Sequence, residues 1–209
     1  MKYKTSILFI FLACFFLSCN NAVDKSDQQE ETVIEEEVSE NLFVIKTELG
    51  DITFEIYPDK APITVKNFLR YVDQGNFEGA TFYRVVRMDN QPNDSIRIEV
   101  IQGNFISNDL SFAPIEHETT NNIGLLHKDG TLSMARRDPG SASAAFFICV
   151  NDQPELDFGG KRNPDGQGFA TFGQVIEGMD VVRKIQSGET DAQTLKKPIA
   201  INSFNKVKE

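Results

Sequence analysis

The chain has 209 residues, 40% hydrophobic and 25% charged, which is enough for one domain with a substantial core. A net charge of −10 removes electrostatic support for nucleic-acid binding. Seventeen phenylalanines, 14 glycines and no tryptophan suit strands and turns better than a helical bundle.

The first segment, residues 1–18, reads as a lipoprotein signal peptide. Lys2 and Lys4 open it, and the apolar run Ile7 to Leu17 has the length of a signal core and is short for a membrane span. It ends in Phe16-Leu17-Ser18-Cys19, which resembles a bacterial lipobox, with Phe16 in place of the usual leucine. The resemblance implies that Cys19 becomes the lipidated first residue of the mature protein. The alternative is a plain secretory signal cut near Ser18. Cysteine usage agrees with lipidation: once Cys14 is removed and Cys19 acylated, only Cys149 remains, and no intramolecular disulfide can form. Cys149 lies in the apolar run "AFFICV" and is expected to act as a small buried hydrophobe.

Residues 19–41 read as a disordered tether. Eight acids stand against the single Lys25, a net charge of −7 with few apolar residues to offset ordering entropy. A solvated helix over "TVIEEEV" is the alternative. Such a tether would hold a folded domain off the bilayer, its acidic charge disfavouring collapse onto an anionic surface.

The folded domain is expected over 42–209. "LFVIKTELGDITFEIYP" alternates as two strands, with Gly50-Asp51 predicted at the turn. "APITVKNFLRYVDQG" reads as a helix, with Pro62 in its first turn, Gly75 as its stop, and Val65, Phe68, Leu69 and Val72 facing the core. Strands are predicted at Thr81–Arg87, Arg97–Gln102, Thr131–Ala135, Ala145–Val150, Phe169–Val175 and Ile199–Val207. "EGMDVVRKIQSG" is a second short helix with Met179, Val182 and Ile185 apolar. Short links between strands argue for an antiparallel sheet that closes or folds over. Long irregular loops at Met88–Ser95, Ser107–Asn122 and Asp157–Gly168 are candidates for function.

Several chemistries lack equipment. There is no phosphate-binding G-x-x-x-x-G-K-[ST], no G-x-S-x-G elbow, and no base beside Ser141 or Ser143. Glu116-His117-Glu118 is a poor metal site, because neighbours on an extended chain point to opposite sides and no Cys or His pair completes it. No metal and no cofactor is expected. A reaction that needs neither nucleophile nor metal fits best.

The ordered set "FEGATFYRVV", "VIQGNF", "GTLSMAR", "SASAAFFICV", "LDFGG" and "FATFGQVIEGMDVVRKI" resembles cyclophilin-type peptidyl-prolyl cis-trans isomerases, from Leu42 to the C-terminus. The resemblance implies a mainly β fold: a closed eight-stranded antiparallel barrel capped by two α-helices, with the site on its outer face. It implies Arg84 and Gln102 as catalytic residues. It implies a substrate-binding groove of Val100, Ala135, Phe147 and Leu156. Substrates would be proline-containing polypeptides. Alternation sends Phe146 and Phe147 to opposite faces, one to the core and one to the pocket.

The chain also departs from the family pattern. Tyr83 stands where a histidine is usual. The segment between Arg84 and Gln102 is longer, and Glu99 falls at the place of a pocket phenylalanine; Met88 or Ile98 could fill the gap. Ala144-Ala145 replace a polar pair, Gly168 or Phe169 replaces a pocket histidine, and Glu155 replaces a tryptophan that contacts cyclosporin. Weak cyclosporin binding is therefore expected, and a nanomolar dissociation constant by calorimetry would contradict it.

The combined expectation is a prolyl isomerase that assists folding in the cell envelope, held to a bacterial membrane through its lipid anchor. Asn20, in place of an aspartate tied to inner-membrane retention, favours the outer membrane, facing the periplasm, with surface display as the alternative. A monomer is the default. The rival is a cyclophilin-like binding module without useful turnover, which Glu99 would favour.

Overall fold

The computed structural model describes residues 41–207; the predicted signal peptide, Cys19 and residues 20–40 of the predicted tether lie outside the described residues. The described chain begins with a hairpin of β1 (Leu42–Thr47) and β2 (Gly50–Ile56). Thr47 pairs with Gly50, so the turn is Glu48-Leu49 and not Gly50-Asp51. Gly50 sits one place later, at φ 134°, where a Cβ would come within 2.8 Å of Val181.

Helix α1 (Pro62–Gln74) follows, stopped by Gly75 in the left-handed conformation. Its first turn is capped from a distance: the Glu118 carboxylate accepts from the Ile63 and Thr64 amides at 3.1 and 2.8 Å. A buried carboxylate there satisfies two orphan donors and meets the positive end of the helix dipole. The "EHE" stretch is thereby part of the scaffold. Its His117 ring meets the Gln167 carbonyl through Nε2 at 3.2 Å.

Next come β3 (Thr81–Val86) and β4 (Val100–Asn104), joined by the insertion, then the short helix α2 (Thr120–Ile123). Strands β5 (Thr131–Met134), β6 (Ala145–Cys149) and β7 (Ala170–Glu177) lead to α3 (Met179–Gln186). The chain ends in β8 (Thr190–Asp191) and the long β9 (Thr194–Lys206), which starts five residues before the predicted strand. The strand predicted at Arg97–Gln102 is displaced to Val100–Asn104, because 97–99 is irregular.

The strands pair antiparallel in the order β1-β2-β7-β5-β6-β4-β3-β9, and β9 returns to β1. Eight strands thus close into a barrel, with β8 a small hairpin partner on β9. Closure leaves no long edge for unwanted pairing.

The phenylalanines fill this barrel. Phe68 of α1 meets Phe43, Phe54, Phe105, Phe172 and Phe204, with ring centroids 5.1 to 6.0 Å apart. Phe105 stacks on Phe146 at 4.6 Å. Each such ring contributes roughly 1.5–3 kcal/mol by burial. Val182 and Ile185 of α3 are buried in the same core. Leu69 and Val72 pack only partly against it, while Tyr71 is fully buried and spans to Ser143 at 3.2 Å.

Candidate active site

A second, smaller apolar cluster lies outside the barrel: Val86, Ile98, Val100, Phe147, Cys149 and Leu156. Strand alternation makes it. On β6, Phe146 joins the interior and Phe147 the outer cluster. On β4, Ile101 points in while Val100 and Gln102 point out. Burial in this cluster pushes the Cys149 thiol pKa well up, so it stays a neutral packing group.

Arg84 reaches the same face through a break in β3. Phe82 and Val85 both enter the core, which strict alternation forbids for residues three apart. The pairing of β3 shifts between Phe82 and Arg84 against both β4 and β9. This bulge inserts one residue, so Tyr83 and Arg84 both line the outer surface.

The outer face carries a recess of about 230 Å³. Arg84, Gln102, Val100, Ala135, Phe147 and Leu156 all line it, so the six residues singled out in the sequence are brought together. Leu156 and Val100 are almost wholly buried and form its floor. Phe169 stands edge-on to Phe147 at 5.3 Å and adds an aromatic wall at the place the family pattern gives to histidine. A wider groove of about 630 Å³ adjoins the recess, sharing Gln102, Ala135 and Arg136 and passing Tyr83 and Ser143.

Glu99 is not in the wall. It accepts from the Asn151 side chain at 2.9 Å. Ile98, only 6% exposed, lines the recess in its place, and Met88 is out in solvent. The gap expected at Glu99 is therefore filled by an apolar side chain from the insertion.

Arg84 is held by neutral oxygens. Its Nη1 donates to Gln102 Oε1 at 2.6 Å, its Nε to Gln193 Oε1 at 3.0 Å, and its Nη2 to the same Gln193 oxygen. Among the described residues it has no carboxylate partner within ion-pair distance. A guanidinium carries five N–H groups, so these three bonds leave two on the Nη atoms. Partial burial pushes its pKa down, helped by the nearby Arg162 and opposed by Tyr83 and Asp94; arginine nonetheless remains charged.

Gln102 is oriented in turn. Its Nε2 donates to the Tyr83 hydroxyl at 2.7 Å, which turns its oxygen toward Arg84. Tyr83 thus positions Gln102. Gln193, in the turn before β9, carried no signal in the sequence. Its Cα placement follows from register, because Arg84 lies opposite Thr194.

Behind Phe147 sits a buried polar array. His127 stacks on Phe147 at 5.8 Å. Its Nδ1 meets Asp157 Oδ1 at 2.7 Å and its Nε2 meets Ser133 Oγ at 3.0 Å. Burial pushes the His127 pKa down against the pull of Asp157. The neutral ring therefore donates from Nδ1 and accepts the Ser133 hydroxyl at Nε2. The order Asp157–His127–Ser133 matches that of a serine hydrolase, but Ser133 is fully buried and has no access to a substrate. The array fixes Phe147 from behind.

Among the described residues no cluster of three or more metal-binding side chains is found. The site is a recess with an apolar floor and the partly bonded Arg84 guanidinium in its lining, where Arg136 and Arg162 also stand.

The chain matches the family "cyclophilin type peptidyl-prolyl cis-trans isomerase/CLD" over residues 42–206. It is 39% identical over 165 residues to a peptidyl-prolyl cis-trans isomerase of Acinetobacter baylyi, covering 76% of this chain and 81% of that protein. It is 38% identical over 148 residues to peptidyl-prolyl cis-trans isomerase B of Escherichia coli, covering 69% and 83% respectively. The barrel is also that of a Cryptosporidium parvum cyclophilin type peptidyl-prolyl cis-trans isomerase, with TM-score 0.65 at 20% identity, covering 81% of this chain and 98% of that one. This chain belongs to the cyclophilin-type peptidyl-prolyl cis-trans isomerase family.

Proposed function

We propose that the domain accelerates rotation about X-Pro bonds in exported polypeptides, with Arg84 as the catalytic cation. The observation that carries this reading is a guanidinium with two unspent N–H groups at the rim of a recess sized for a proline ring. Resonance in the prolyl amide gives a barrier of roughly 20 kcal/mol. As the bond twists, conjugation is lost and the nitrogen lone pair becomes an acceptor. A hydrogen bond from Arg84 then exists in the transition state and not in the ground state, which is the condition for acceleration. Turnover near 10³ s⁻¹ requires a barrier of about 13 kcal/mol, so the site must supply on the order of 7 kcal/mol.

The other residues divide the work. Phe147, Leu156, Val100 and Ile98 grip the ring. Gln102 and the backbone near Ala135 orient the neighbouring carbonyl. No proton is transferred and no covalent bond forms, so neither metal nor cofactor enters the reaction. The rival reading, binding without turnover, rested on Glu99; with Ile98 in the wall and Glu99 turned to Asn151, that support is gone. Exchange NMR on an Ala-Pro peptide tests the proposal, since broadening between cis and trans signals on adding protein reports turnover, and binding without it reports the rival.

We further propose that the domain works in the cell envelope, tethered through a lipidated Cys19, with the outer membrane favoured. Exported chains refold after translocation, where slow X-Pro steps matter. No helix among the described residues is long and apolar enough to cross a membrane.

A further inference from the structure

The β3–β4 insertion is organised around one buried side chain. Gln91 donates to the Arg87 and Ile98 carbonyls at 2.7 and 2.8 Å, and accepts from the Ile98 amide at 3.2 Å. At its root, Arg87 donates to the Gln186 and Gly188 carbonyls at 2.8 and 3.1 Å, which fixes that end to the C-terminus of α3. The far end of the insertion has a different anchor. Arg162, in the Gly-rich loop, donates to the Ile96 carbonyl at 2.6 Å and pairs with Asp94 at 3.1 Å. Its side chain is 16% exposed and lines the recess beside Ile98.

The Gly-rich loop is itself fastened at its other end. Arg136 makes a two-pronged ion pair with Asp165 at 2.8 and 2.9 Å, bonds the Gly168 carbonyl, and lies over the Phe169 ring at 5.2 Å. A Cβ on Gly168 would come within 2.5 Å of the Leu156 carbonyl, so the loop closes tightly on the recess floor. Two irregular segments, each braced at one end, therefore meet over the site, and Arg162 spans them.

We infer that Arg162 is a positioning residue of this site: it latches the insertion to the Gly-rich loop and so holds Ile98 as the fourth wall of the proline recess. The inference rests on the isomerase reading for its consequence, though not for its geometry. A wall that touches the ring before, during and after rotation contributes uniform binding. Its loss raises KM and leaves kcat largely unchanged. Both contacts run through Nη1, so one terminal cationic nitrogen reaches a carbonyl and a carboxylate at once.

The experiment compares Arg162→Ala, Arg162→Lys, Asp94→Asn and the Arg162→Ala/Asp94→Asn double variant, with Glu99→Gln as a control outside the recess. The expected result for Arg162→Ala is KM raised about 3- to 10-fold with kcat within about twofold. Arg162→Lys, which keeps a terminal cation with several donors, falls between wild type and Arg162→Ala, and the double variant is no worse than Arg162→Ala. Amide exchange at Ile98 and Gln91 speeds up in Arg162→Ala and not in Glu99→Gln. Unchanged KM in Arg162→Ala, or unchanged amide exchange at Ile98 in that variant, overturns the inference. A peptide titration run in parallel keeps the two claims apart. If wild type binds an Ala-Pro peptide without accelerating exchange, the isomerase reading fails. The ratio of dissociation constants between wild type and Arg162→Ala, together with Ile98 exchange, then still decides the latch.

Discussion

Arg84 and Gln102 lie opposite each other on paired strands, and Arg84 Nη1 donates to Gln102 Oε1 at 2.6 Å. The contact helps to set the guanidinium plane, and two N–H groups of this recess-lining residue stay unspent. Gln193 does the same from the other side. Gln193→Ala should lower kcat about 3- to 30-fold with KM nearly constant, because it removes support for a transition-state donor without touching the ring pocket. Steady-state kinetics on an Ala-Pro peptide checks this, and a pure KM effect would contradict it.

The adjacent residues Phe146 and Phe147 should separate cleanly. Phe146 stacks within the barrel, so Phe146→Ala is expected to cost about 3–5 kcal/mol of stability by cavity formation. Phe147 belongs to the outer cluster; its truncation should cost less stability and raise KM strongly. Denaturant melts and kinetics on both variants measure the contrast. Equal losses of stability would show that the two faces are not distinct.

Acid stability has two signatures. The His127 pKa is lowered by burial in the fold, against 6.5 when unfolded. Below 6.5 the unfolded chain binds a proton that the fold refuses, so this stability is complete above 6.5 and declines as pH falls toward the folded value. Asp165 is lowered from 3.8 to about 2, chiefly by the Arg136 hydrogen bonds. Its contribution is present above 3.8 and is lost as pH falls through about 2. Melting temperature followed from pH 8 to 2 should fall in both windows. His127→Gln should flatten the upper fall and Asp165→Asn the lower; a profile unchanged in both variants would refute the assignments.

Anchoring is tested away from the folded domain. Cys19→Ser should move the protein from the membrane fraction to the soluble fraction, and mass spectrometry of the wild type should find acyl chains on Cys19. An unmodified mature N-terminus near Ser18 would favour the plain secretory signal.

Much of this architecture was legible from local patterns. Alternation in β6 assigned Phe146 and Phe147 to opposite faces, and Pro62 and Gly75 bounded α1 because their backbone preferences act locally. What escaped depends on contacts between distant residues. The bulge at Tyr83 comes from registers with two separate strands. Gln193 is 109 positions from Arg84 and meets it only because β9 pairs with β3. Glu118 capping α1 across 54 positions looks, in sequence, like one acid of a loop. Counting back from Gln102 pointed to Glu99, but the insertion turns that side chain toward Asn151 and presents Ile98.

The most direct test of the account is the cis/trans exchange rate of an Ala-Pro peptide with wild type and with Arg84→Ala at matched saturation. Loss of a transition-state donor should lower kcat by about 10²–10³-fold, with binding of the peptide retained. Exchange as fast with the variant as with wild type would contradict the assignment of Arg84 as the cation that receives the prolyl nitrogen.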